Sequence, residues 1–312
     1  MPWTYGGTSP FYEGGAQRAN GARTPKLGVM GIISDLYKRF GCGSVSSYGC
    51  VQLSMIVVIF ALPEESRDLR RALRDSVVGD GWTRGFLSSA NCAEEIRVTH
   101  TGVGFASAAA KIAKLLSGDR PRVVISSGYA GGLDPQLKIS DLLLATNFSA
   151  PGLVALCRTS AGDRRVPVFG WLTSQAAAVE SVADKAALAD ETGAHAVDME
   201  TEAIALACSA AGVPLLSVRA ISDAASQPLP VPFEHWFDLA RQRPRPVALV
   251  SYLARQPSRI AAFARFVRGL PSARLALTGY LVDLLGSEAF RDFSGEPSVA
   301  SVAPLSALSA LP

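Results

Sequence analysis

Three carboxylates stand where apolar runs of this chain end, and carboxylates gathered at one crevice are the residue types of general acid–base work. Glu200 lies in Asp198-Met199-Glu200, just after the short apolar run 194–197. Asp223 closes the segment Ser217-Val218-Arg219-Ala220-Ile221-Ser222-Asp223. Glu65 follows the run 55–61 (MIVVIFA) within Pro63-Glu64-Glu65-Ser66. A fourth run, 123–127, leads into Gly128-Tyr129-Ala130-Gly131-Gly132, where three glycines in five residues allow a tight turn and close backbone approach to a ligand.

The elements that must position these groups alternate between strand and helix. Runs 55–61, 123–127 and 215–221 are almost continuously apolar, as parallel strands covered on both faces are. Ala203, Ala207 and Ala211, with Ile204 and Cys208 beside them, mark a helix that Gly212 and Pro214 stop. Pro63 is suited to open another helix, with acids favourable in its first turn and Leu69, Ala72 and Leu73 as its apolar stripe. In open α/β sheets the ligand crevice lies beyond the carboxyl ends of the strands, so Glu200 and Asp223 are expected to face one pocket.

A chain of 312 residues, 48% hydrophobic, can bury one substantial domain with appendages. A net charge of +3 does not demand nucleic acid as a partner. Five cysteines without C-x-x-C spacing and three scattered histidines give neither a disulfide framework nor a zinc site. No metal and no cofactor are therefore expected, and a reducing cytoplasm is the expected location. No run of about 18 apolar residues predicts a transmembrane helix, and the first residues lack the charged start and apolar core of a secretory signal.

Residues 1–54 are rich in Gly, Ser and Tyr. They read as a weakly ordered leader with one short helix at 32–40, or as an upstream extension of a frame beginning at Met30 or Met55. Residues 55–232 carry the alternating elements of a catalytic domain. Residues 233–288 read as a helical extension, with apolar stripes at 247–253, 260–267 and 275–285 separated by Pro257 and Pro271. Residues 289–312 are rich in Ser, Ala and Pro and read as a loose tail.

Four segments in order carry a resemblance: IFALPEES (59–66), TGVGFASAAAKIAKLL (101–116), SSGYAGGLDPQLKISDLLLA (126–145) and AVDMETEAIALAC…VPLLSVRAISD (196–223). They resemble the nucleoside phosphorylase and nucleosidase superfamily, most closely the 5′-methylthioadenosine/S-adenosylhomocysteine nucleosidases. The resemblance implies an α/β fold, three-layer α/β/α with a mixed central sheet, here followed by helices. It implies a small-molecule adenine nucleoside as ligand, a homodimer, and hydrolysis of the N-glycosidic bond with release of adenine. Release of adenine from an adenosylated lipid, by water or phosphate, and non-catalytic nucleoside binding stand as alternatives.

By motif, Glu200 looks like the residue that holds the ribose 2′ and 3′ hydroxyls, with Met199 against the sugar face. Asp223 looks like the acid that protonates purine N7, and Glu65 like the base that orients water. Gly128 and Tyr129 fall in the glycine block beside the nucleophile, and Val218 and Ala220, on the strand leading to Asp223, are expected to shape the purine slot. The chemistry needs such types: adenine leaves a sugar readily only when its ring is protonated as the bond breaks, and general acid catalysis contributes roughly 10²–10⁴-fold. A carboxylic acid can serve near neutrality where desolvation at an apolar strand end favours its protonated form. An ionised Glu200 would hold both hydroxyls and fix the sugar.

Phosphorylases of the superfamily bind phosphate with arginines, whereas the corresponding positions here are Ser126 and Pro63-Glu64-Glu65, which favours water. Tyr129 departs from the small polar residue usual in the nucleosidases and is expected to narrow the site. A helical tail similar to the one here follows the domain in hopanoid-associated phosphorylases. Arg255, Arg259, Arg265, Arg268 and Arg274 lie among its apolar residues, and a basic amphipathic helix can make peripheral contact with an anionic membrane. Packing on the domain or on a partner subunit, with the arginines solvated, is the simpler reading.

Plainer roles exist for the other polar residues. Asp198 and Glu202 read as structural or solvated, and His100, His195 and His235 as ordinary polar positions. The Gly102-Val103-Gly104 turn suits an anion at a helix start or a tight connection equally well. Arg219, inside an apolar strand, is expected to pair with Glu65 or Asp223.

Overall fold

The computed structural model describes residues 55–87, 94–159 and 166–294. The leader with its expected helix at 32–40, and most of the tail, lie outside the described residues. In chain order the elements are β1 (Met55–Phe60), α1 (Arg67–Ala72), β2 (Leu73–Gly79), β3 (Trp82–Leu87), β4 (Glu95–His100), α2 (Phe105–Gly118), β5 (Val123–Gly132) and β6 (Leu142–Ala145). There follow α3 (Pro151–Thr159), β7 (Val168–Gly170), β8 (Leu172–Ser174), α4 (Val182–Thr192), β9 (Ala196–Asp198), α5 (Thr201–Ala211) and β10 (Leu215–Asp223). After a 3-10 turn at Phe233–His235 come β11 (Phe237–Asp238), β12 (Arg243–Pro244), α6 (Pro246–Arg255), a second 3-10 turn, α7 (Ile260–Leu285) and α8 (Glu288–Arg291).

Ten strands form one mixed sheet in the order β2-β3-β4-β1-β5-β10-β6-β7, with β9 joining β5 to β8. The central trio β1, β5 and β10 is parallel, and β6 runs antiparallel beside β10. Alternate side chains of the trio feed two cores. Ile56, Val58, Ile125, Val218 and Ala220 pack with α1, α3 and the second half of α7 on one face. Val57, Ile59, Val124 and Ile221 pack with α2 and α5 on the other. Helices on both faces explain why these strands read as unbroken apolar runs.

Several local expectations need correction. Pro63 does not open a helix: residues 61–66 form turns, and the six-residue α1 begins only at Arg67. The glycine block does not leave the sheet, since β5 runs on to Gly132 and pairs there with β9. Pro271 does not break the extension, because α7 continues through it to Leu285. The helix on the far side of the proline is held by packing, since Ala273, Leu277, Leu281 and Leu284 are buried in the core, and Leu270 O accepts from the Tyr129 hydroxyl at 3.1 Å. Glu288–Arg291, at the start of the supposedly loose tail, forms a helical turn that buries Phe290 completely.

Candidate functional site

Glu65 sits in the turn after β1, where β1 and β5 are neighbours. Its side chain is buried, and each oxygen takes a main-chain donor: Oε2 accepts from Leu62 N at 2.8 Å and Oε1 from Tyr129 N at 3.0 Å. The second contact explains Gly128. With φ of +149° it occupies backbone space that side chains rarely adopt, and a Cβ there would lie 2.8 Å from Glu65 Oε1. Burial raises the Glu65 pKa, opposed by those two N–H groups and by the charge of Arg219. A carboxylate so placed is ready to accept a proton.

Glu200 is the residue before α5, and its Oε1 accepts from Gly104 N at 2.7 Å. The glycine turn at 102–104 thus serves an anion supplied by the protein itself. Gly104 has φ of +91°, and Gln242 clasps the turn by accepting from Val103 N at 2.7 Å and donating to Val103 O at 2.8 Å. Burial, then the charge of Asp198, pushes the Glu200 pKa up to about 8, which favours its protonated form relative to a free glutamate.

A small pocket is lined by Glu65, Thr101, Ser126, Gly128, Glu200 and Arg219. Among the described residues Arg219 is the only cation on it, and that guanidinium is spent within the protein. Contrary to expectation it pairs with neither Glu65 nor Asp223. Its Nε donates to Asp198 Oδ2 at 2.9 Å, and its Nη2 to Ser126 Oγ at 2.8 Å and Thr201 Oγ1 at 2.6 Å. Asp198 also accepts from Ser174 at 2.5 Å and from the Thr201 hydroxyl, so it is the buried knot that ties β10, β8 and α5 together.

Asp223, the last residue of β10, is not among the residues lining this pocket. Its Oδ1 accepts from Ser222 Oγ at 2.6 Å, and its Oδ2 from Lys185 of α4. Lys185 has no solvent contact, and its ammonium also donates to Ala224 O at 3.0 Å and Gln227 O at 2.8 Å. The expected apolar socket for this acid is therefore an ion pair. Sequence reasoning missed Lys185, although the signal was present: it shares a helix face, at i+3, i+4 and i+7, with Leu188, Ala189 and Thr192.

Met199 is buried against Val103 and Phe237, with Leu62, Phe233 and Trp236 around them. The three rings come from the segment expected to begin the helical extension, and Phe233 meets Trp236 edge-on at 4.6 Å. Val218 and Ala220 do not shape this side of the site. Side chains alternate along β10, so those flanking Arg219 point through the sheet into the core under α7. Tyr129 serves Glu65 through its main-chain N–H; its ring packs toward that same core and its hydroxyl is tied to Leu270 of α7.

Relatives share this arrangement of elements. The 5′-methylthioadenosine/S-adenosylhomocysteine nucleosidase of Bacillus cereus (strain B4264) is 28% identical over 217 residues, covering 59% of this chain and 92% of the relative. The protein of that name from Bacillus thuringiensis (strain Al Hakam) is 29% identical over the same shares. Among solved structures, the Neisseria meningitidis nucleosidase in complex with methylthio-immucillin-A has a TM-score of 0.56 at 21% identity, over 75% of this chain and 99% of that one. The futalosine hydrolase of Helicobacter pylori strain 26695 has a TM-score of 0.55 at 21% identity, over 75% and 97%. Both show the likeness of fold. The profile of the Phosphorylase superfamily matches residues 55–150 and 147–251, more than half of the sequence and the whole of the site just described, and the chain belongs to that superfamily.

Proposed function

We propose that the chain hydrolyses the N-glycosidic bond of an adenine nucleoside of the methylthioadenosine or S-adenosylhomocysteine type, releasing adenine. The observation that carries the reading is Glu65, buried and held by two main-chain N–H groups in one pocket with Glu200. In this reading Glu65 takes a proton from water as the water oxygen bonds to C1′. The C1′–N9 bond breaks, its electron pair passes to the purine, and the Lys185–Asp223 pair supplies a proton to N7. Glu200 hydrogen-bonds the ribose hydroxyls, and Met199 with Phe237 and Val103 offers an apolar surface for the 5′ end. The names carried by the relatives support the substrate class.

Water is favoured over phosphate on electrostatic grounds. A phosphate dianion placed here would face Glu65 with, among the described residues, no uncommitted cation lining the pocket, since Arg219 is bonded to Asp198, Ser126 and Thr201. The test is adenine release from methylthioadenosine, S-adenosylhomocysteine and adenosine, with and without inorganic phosphate. Free sugar formed without phosphate is the expected product. A sugar 1-phosphate formed only with phosphate, or no adenine from any of the three, would sink the reading.

A further inference from the structure

From Leu239 to Val282 the chain has eight arginines and no Asp or Glu. Arg241 pairs with Asp238, and Arg274 with Glu64 and Asp68. Arg243, Arg245, Arg255, Arg259, Arg265 and Arg268 are exposed, and none forms an ion pair among the described residues. Set among them is α6, a ten-residue helix that buries none of its residues. Its inner side, Leu249, Tyr252 and Leu253, is half-buried. Its outer side is not polar, as a solvated helix would have it, but a stripe of Val247, Val250 and Ala254 at i, i+3 and i+7, with Val247 78% and Val250 66% exposed. Ile260 and Val267 of α7 are exposed as well.

We propose that this face docks on an anionic lipid bilayer, with the α6 stripe entering the interface and the flanking arginines meeting lipid phosphates. Charge complementarity selects the occupant. A second copy related by a two-fold axis would set arginine against arginine over most of the face, since residues 239 to 282 supply no carboxylate and Glu234 stands at its edge beside Arg245. A polynucleotide would suit the arginines but leave Val247 and Val250 against phosphates, and Tyr252, the one aromatic ring of α6, is already packed on His235 at 4.7 Å between centroids. An interfacial helix needs both features together, an apolar stripe and a basic surround. No helix among the described residues is long and apolar enough to cross a membrane, so the contact is peripheral. It would also bring the site close to the bilayer, because Arg245 N donates to Trp236 O at 2.9 Å at the start of α6, and Trp236 belongs to the apolar wall around Met199.

The test is co-sedimentation of the full chain with phosphatidylcholine vesicles, with and without phosphatidylglycerol, at low and at raised salt. Binding is expected only to the phosphatidylglycerol vesicles and is expected to weaken as salt rises. Val247→Glu with Val250→Glu should weaken it at least tenfold, and so should Arg255→Glu with Arg259→Glu, while adenine release in solution stays as in the wild type. Equal partition to both vesicle types, no binding at low salt, or binding unaffected by either pair of substitutions would overturn the proposal. Retention of duplex DNA by the same arginines, unaffected by the valine substitutions, would assign the face to a polynucleotide instead.

Discussion

Lys185 and Asp223 form an ion pair with almost no access to solvent, the lysine reaching from α4 to the end of β10. All three ammonium protons have acceptors: Asp223 and the carbonyls of Ala224 and Gln227. Breaking a buried pair from one side leaves an uncompensated charge, so Lys185→Met should destabilise the fold by about 3–5 kcal/mol. Adding Asp223→Asn to it should return part of that loss, a coupling read from urea midpoints of the four proteins in the cycle. Turnover separates a structural role from a chemical one. If the pair supplies the proton to N7, Asp223→Asn alone should lower kcat by roughly 10²–10⁴-fold while nucleoside binding persists. A single mutant with wild-type kcat would place the acid elsewhere.

Gly128→Ala tests how Glu65 is positioned. The added methyl carbon would lie 2.8 Å from Glu65 Oε1, at a φ of +149° that strains alanine as well. The carboxylate must give way, and a displacement of about 1 Å at a reacting group can cost roughly 10²-fold in rate. The loss should appear in kcat more than in KM. Tyr129→Phe is the control: it removes the hydroxyl and with it the bonds to Leu270 O and Arg274, leaves the main-chain N–H on Glu65, and should cost about 1 kcal/mol of stability with little change in turnover.

The strand ends before Glu65, Glu200 and at Asp223 were legible because each closes a buried apolar run, and the sheet brings Glu65 and Glu200 to one pocket while Asp223 lies outside its lining. The helix after Glu200 was legible for a local reason, with Gly212 in the left-handed conformation at φ of +65° where it stops. Partners were not legible. Arg219 chose Asp198 over Glu65 or Asp223 because its guanidinium turns back toward α5, a direction set by packing across the sheet and not by chain order. Phe233, Trp236 and Phe237 reach Met199 through a long-range fold-back that leaves no periodicity. Pro271 misled for a related reason: what holds its helix together is the burial of Ala273, Leu277 and Leu281 against the distant sheet, which the local sequence does not display.

Arg274 joins the last long helix to the turn that carries Glu65. From its buried position on α7 it donates to Glu64 Oε1 and Asp68 Oδ2, both at 2.6 Å. Glu64 is more than half exposed, so most of the energy should come from Asp68. Arg274→Ala should lower stability by about 1–3 kcal/mol, since Asp68 loses its main partner and a cavity opens under α7. Turnover should fall as well, because the turn between β1 and α1 is loosened next to Glu65. Arg274→Lys, which keeps the charge but not the two-pronged geometry, should restore stability only in part. Equal kcat values for Arg274→Ala and wild type, with reduced melting temperature, would show that the helix supports the fold and not the site.

Glu200 gives the protein a pH dependence whose sign is fixed. Its pKa is raised from 4.5 to about 8 in the fold, chiefly by burial and then by Asp198. Unfolding exposes the carboxyl, which then releases its proton at any pH above about 4.5. The native state therefore holds one proton more than the unfolded state between those two values, and stability declines as pH rises through that window. Above about 8 the native group is ionised too, and the slope vanishes. The size is on the order of a few kcal/mol. Glu200→Gln keeps the shape and removes the titration, so its urea midpoint, compared with wild type at pH 5 and pH 8, should gain on wild type at the higher pH. Parallel behaviour of the two proteins across that range would mean that Glu200 is ionised in the native state throughout. It would then be free to hold a pair of ribose hydroxyls as an acceptor, as the sequence motif alone leads one to expect.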